Sequence, residues 1–165
     1  MIHRPTVCFV LVLVCSCNAP KHKEHRFASE EKKLLAVLSA YKLGDKIDRR
    51  IYVINSAIGC GGCIQEVANF YKKNHALPNF QYIVSTESKK QVRIAYPHAL
   101  RQQSNFLYDS LSLATASGLI TTKPKVIYCR DGKIIGIDEI EYSSLAQSLA
   151  KIKAFALSDA TTSIP

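Results

Sequence analysis

The chain of 165 residues predicts an α/β domain with a mixed central sheet flanked by helices and an extra helix on its N-terminal side. Short β-branched and aromatic runs alternate with segments whose apolar residues recur at helical spacing. The last two runs are joined by Asp131-Gly132, a dipeptide that turns one strand back antiparallel to the other. Hydrophobic residues make up 47% of the chain and mean hydropathy is +0.00, which suits one packed domain and excludes a wholly disordered or collagen-like chain.

The elements follow in order. Ser29 with Glu30 and Glu31 reads as a helix start, and Leu34, Leu35, Leu38 and Tyr41 form a stripe that Gly44 ends. Ile51-Tyr52-Val53-Ile54 is apolar on both faces, as a central parallel strand is. Beyond Cys60, the stripe Ile64, Val67, Ala68 and Tyr71 predicts a helix that Leu77-Pro78-Asn79 interrupts. Phe80 to Val84 is a second strand, and Thr86 is expected to cap a helix through Lys90 and Val92 ahead of Pro97. Asn105 to Tyr108 predicts a short strand, and Leu111 to Leu119 a short helix closed by Gly118. Lys125 to Cys129 and Ile134 to Ile137 form the hairpin, after which Ser143 or Ser144 caps a last helix with the stripe Leu145, Leu149, Ile152 and Ala156.

The first residues stand apart from this pattern. A basic start (His3, Arg4), an apolar run from Val7 to Val14 and the small Ser16 before Cys17 have the layout of an export signal. The run is about half of the ~20 residues needed to span a bilayer. Ser16-Cys17 is similar to a bacterial lipobox, which implies cleavage after residue 16 and a lipid on Cys17; an ordinary cleaved signal or an uncleaved anchor is the alternative. The expected division is therefore a signal peptide at 1–16, a basic tether at 17–28, the folded domain at 29–158 and a polar tail at 159–165. Export places the domain where disulfides persist. The chain has 22 Lys and Arg against 13 Asp and Glu, net +9, but these are scattered and match no nucleic-acid-binding motif, so no nucleic-acid partner is expected.

Cys60-Gly61-Gly62-Cys63 lies where a strand gives way to a helix. The free N–H groups and dipole of a helix start stabilise a thiolate at Cys60, making it the attacking sulfur, with Cys63 to resolve the mixed disulfide. Gly61 and Gly62 add no bulk or charge and leave room for a substrate. A purely structural disulfide is the competing reading, although so small a loop stabilises little. Glu66, one turn after Cys63, is positioned either to exchange a proton with a thiol or simply to face solvent. Gly59-Cys60-Gly61 begins a dinucleotide-like pattern that Ile64 breaks. Cys129, within an apolar run, is assigned to packing. His75, His98 and Asn55 are given surface or loop roles, and no metal site is expected.

The order of elements, with CxxC at the strand-to-helix junction, resembles the thioredoxin-like superfamily over about Arg50 to Ile152. Cys63-Ile64-Gln65-Glu66 and the stretch Asn105 to Ile135 are similar to the exported, membrane-tethered oxidoreductases of the TlpA/ResA type. The chain departs from them in having no Trp before Cys60, no Pro between the cysteines, and Lys123 before the loop proline. The resemblance implies that Pro124 is cis and faces Cys60. Gly61, Gly62, Lys123 and Pro124 would then form the substrate groove, in which substrate pairs like an added strand. Lys123 is expected to lie close enough to favour the Cys60 thiolate or, pointing outward, to select acidic clients. The implied activity is thiol-disulfide exchange on protein clients in the bacterial cell envelope. It needs no bound cofactor, uses a membrane redox donor, and has an open direction in which reduction is favoured. A binding module with a structural disulfide, and copper or zinc delivery by the two cysteines, are the other functions these residues leave open.

Overall fold

The computed structural model describes residues 26–158; the expected signal segment, Cys17, most of the tether and the tail from 159 lie outside the described residues. Five strands, β1 (Ile51–Ser56), β2 (Phe80–Ser85), β3 (Phe106–Asp109), β4 (Lys125–Arg130) and β5 (Lys133–Glu139), form one sheet in the order β3-β2-β1-β4-β5. β1 pairs parallel with β2 and β2 with β3, whereas β4 runs antiparallel to both β1 and β5, so the sheet is mixed as expected. Asp131 (φ 50°) and Gly132 (φ 74°) both take the positive φ that a two-residue hairpin turn requires.

Alternation along β1 divides the core. Ile51 and Val53 face one layer, formed by α2 (Gly61–Asn74), α3 (Lys89–Ala95) and α6 (Leu145–Leu157). Tyr52 and Ile54 face the other, formed by α1 (Ala28–Ala40) and the short α5 (Leu113–Ala116). All six β1 residues are buried, which explains the unbroken apolar run in the sequence. Beneath α2, Tyr71 stacks on Tyr82 with centroids 4.3 Å apart, and Tyr96 and Phe106 close round them, fixing the helix that carries the cysteines.

Several boundaries differ from the sequence expectation. α1 starts at Ala28 after Phe27, so Ser29 lies inside the helix and makes no cap. Ser88, not Thr86, caps α3 by accepting from the Gln91 N–H at 3.3 Å, while Thr86 Oγ1 accepts from the Ser88 N–H at 3.1 Å. Beyond Pro97 a further turn of helix, α4 (His98–Arg101), forms because proline suits a helix start as well as it ends one. Neither Ser143 nor Ser144 caps α6 through its side chain; a 3-10 turn over Tyr142–Ser144 leads into the helix instead.

Candidate functional site

β1 ends in a polar pair that ties it to the start of α2. Asn55 is buried at 1% exposure; its Nδ2 donates to the Ile64 carbonyl at 3.0 Å and to Tyr82 Oη at 2.9 Å. The surface or loop role expected of Asn55 is thereby corrected: the apolar run continues through it, and its amide fastens strand to helix. A polar residue closing an apolar strand just before CxxC was the available signal.

Gly59 follows with φ +127°, a conformation that L side chains rarely adopt. A Cβ there would lie 2.6 Å from the Thr122 carbonyl carbon and nearer still to its oxygen. The close approach lets the Cys60 N–H donate to the Thr122 carbonyl at 3.1 Å, locking the cysteine turn to the loop before Pro124. In the sequence Gly59 stands out as the start of a nucleotide-like pattern, because the residue it touches lies more than sixty positions along the chain.

Cys60 and Cys63 are joined as a disulfide, with Cα atoms 5.3 Å apart. Cys60 is the N-cap of α2, and its Sγ accepts from the Cys63 N–H at 3.4 Å. Cys63 is fully buried, Cys60 is partly exposed, and Gly61 and Gly62 are exposed. The more exposed cysteine is thus the one whose sulfur a helix-start N–H meets, a setting that favours its thiolate.

Pro124 is buried beside this turn, but among the described residues no peptide bond is cis, so the expected cis bond is corrected to trans, the intrinsically favoured isomer. The carbonyls of Thr122 and Pro124 accept from the N–H groups of Cys60 and Ile140, the latter at 2.8 Å. Lys123 reaches Glu141, with Nζ 2.6 Å from Oε1. That hydrogen bond and charge raise the lysine pKa and lower the glutamate's.

Glu66 lies on the exposed face of α2, where its Oε1 accepts from Asn69 Nδ2 at 3.4 Å. The ring of Tyr142, 72% exposed, covers Gly62: a Cβ at 62 would meet its Cε2 at 3.3 Å. On the opposite side, Ala57, Ile64, Val92 and Tyr96 line a small, mainly apolar cleft of about 160 Å³. Cys129 is buried in β4, and burial pushes its thiol up to about 12, with Glu31 adding to the shift. His75 closes α2, its Nδ1 3.1 Å from the Lys72 carbonyl, and His98 is exposed at the start of α4.

Among the described residues no group of three or more His, Cys, Asp or Glu side chains is placed to hold a metal ion, and no helix is long and apolar enough to cross a membrane. The chain matches no known protein-family model and no curated protein.

Proposed function

We propose that this chain is a thiol-disulfide oxidoreductase of thioredoxin-like fold, similar to the TlpA/ResA type, acting on protein disulfides through Cys60 and Cys63. The observation that carries the reading is the asymmetry of the pair: a partly exposed cysteine at the helix N-cap joined to a fully buried one. In the reducing direction, the Cys60 thiolate attacks one sulfur of a client disulfide and expels the other as a thiolate. The Cys63 thiolate then attacks the Cys60 sulfur, forming the Cys60–Cys63 bond and releasing the second client thiol. The client gains two electrons and the pair loses two, which a membrane redox donor restores. The reading includes export, a lipid on Cys17 and a domain held in the periplasm, all resting on the signal-like residues 1–17.

The test is a trapping experiment. Cys63→Ser is expected to accumulate mixed disulfides with clients on a non-reducing gel, because the attacking sulfur remains and the resolving one is gone. Cys60→Ser is expected to trap none. Equal trapping by both variants ends the ordered mechanism, and no trapping with an unreactive wild-type disulfide replaces the reading with that of a binding module.

A further inference from the structure

The Cys60–Cys63 turn is bordered by a broad groove of about 500 Å³, whose walls include Gly62, Gln65, Glu66, Tyr142 and Leu145. Its charge is opposite to that of the chain. Against a net +9, the groove has no Lys or Arg in its lining, and the ammonium beside it, Lys123, is held by Glu141 at 2.6 Å. Glu66 forms no ion pair among the described residues, and its carboxylate accepts only from the neutral amide of Asn69 among them. Across the groove, the Tyr142 ring is held over Gly62, and its backbone neighbour Glu141 is anchored through Lys123 to the loop before Pro124. A carboxylate and an open aromatic face are the two groups that attract an ammonium or guanidinium.

From this we infer that Glu66 and Tyr142 select clients carrying a lysine or arginine beside the reacting cysteine, the groove taking that cationic side chain while Cys60 holds the client sulfur. The inference rests on the oxidoreductase reading and names the class of polypeptide that site prefers. It gives Glu66 a recognition role in place of proton exchange. It also gives a use to the missing side chain at position 62, since the Tyr142 ring occupies the space that a larger residue would fill.

The test uses two synthetic peptide disulfides, each a dimer of one short peptide joined through a central cysteine, identical except that the cysteine is flanked by Lys or by Glu. Reduced protein is mixed with each, and release of peptide thiol is followed by mass spectrometry. Each rate is divided by that peptide's rate with dithiothreitol, which removes the effect of the flanking charge on the thiol itself. The wild type is expected to prefer the Lys peptide by about 5–10-fold, as an exposed ion pair plus a cation–π contact provides. The preference should shrink in high salt. Glu66→Gln is expected to cut the preference to about 2–3-fold, the share that the cation–π contact supplies, and Tyr142→Leu to lose that other part, with both variants matching the wild type in circular dichroism. A wild type that reduces both peptides equally overturns the inference and leaves the oxidoreductase reading intact. A Glu66→Gln variant that slows both peptides by the same factor overturns it in favour of a proton-transfer role. Failure to reduce either peptide removes the inference together with the reducing direction of the reading beneath it, whose cysteine mechanism the trapping experiment tests separately.

Discussion

Replacing Gly59 by alanine probes the contact that builds the site. At φ +127° a side chain is strained by about 1–3 kcal/mol. The new Cβ would also lie 2.6 Å from the Thr122 carbonyl carbon, so the loop before Pro124 must withdraw. Withdrawal breaks the 3.1 Å bond from the Cys60 N–H to the Thr122 carbonyl, at a net cost of about 0.5–1.5 kcal/mol. The expected loss is about 2–4 kcal/mol, which at a urea dependence of about 2 kcal/mol per molar, the middle of the usual range, lowers the midpoint by roughly 1–2 M. The assay is urea unfolding of the oxidised protein followed by circular dichroism, with the rate of disulfide reduction by dithiothreitol measured alongside. Gly61→Ala is the matched control. Nothing lies within 4 Å of a Cβ there, and the position opens α2, so alanine is expected to be neutral or to stabilise by up to about 1 kcal/mol. If Gly59→Ala loses less than about 0.5 kcal/mol and reduces at the wild-type rate, the proposed coupling between the cysteine turn and the Thr122 loop is wrong.

Asp109 is fully buried and accepts from Tyr41 Oη (2.8 Å), Ser85 Oγ (2.8 Å) and the N–H groups of Leu113 (2.9 Å) and Ala114 (2.8 Å). Asp109→Ala leaves these donors without their acceptor and is expected to cost about 3 kcal/mol, read as a lowered thermal midpoint. Burial raises the Cys129 thiol to about 12, so above its ordinary value of about 8.5 the unfolded chain loses a proton that the folded chain keeps. Stability from this group is therefore complete below about pH 8.5 and declines as pH rises towards 12, by at most about 1.4 kcal/mol per pH unit. Cys129→Ala should flatten the stability curve between about pH 8.5 and 10, before the buried tyrosines titrate, while keeping disulfide-exchange activity; a denaturant series across pH checks this. Cys17→Ser in the full-length protein is expected to abolish incorporation of labelled fatty acid and yield a soluble or unprocessed form, and continued labelling refutes the lipid-anchor reading.

What the amino-acid order alone determines here is periodicity and punctuation. Runs such as Ile51 to Ile54 and Phe80 to Val84 can be buried on both faces only as strands of a covered sheet, and Asp131-Gly132 can join its neighbours only by a tight reversal. The position of CxxC after the first strand then places Cys60 at a helix start, because the stripe from Ile64 begins immediately behind it. These relations are local, extending over about one or two turns of helix or a few strand residues, and so they are legible without coordinates. The partners of the site are not local. Gly59 reveals its purpose only once Thr122 is brought against it; Asn55 is a loop residue on paper and a buried strap between strand and helix in the fold. Lys123 is a free cation in the sequence, and only chain folding delivers Glu141 to within 2.6 Å of it and Tyr142 onto Gly62. Hydrogen bonds and ion pairs depend on ångström distances between side chains far apart in sequence, and tertiary packing alone sets those distances.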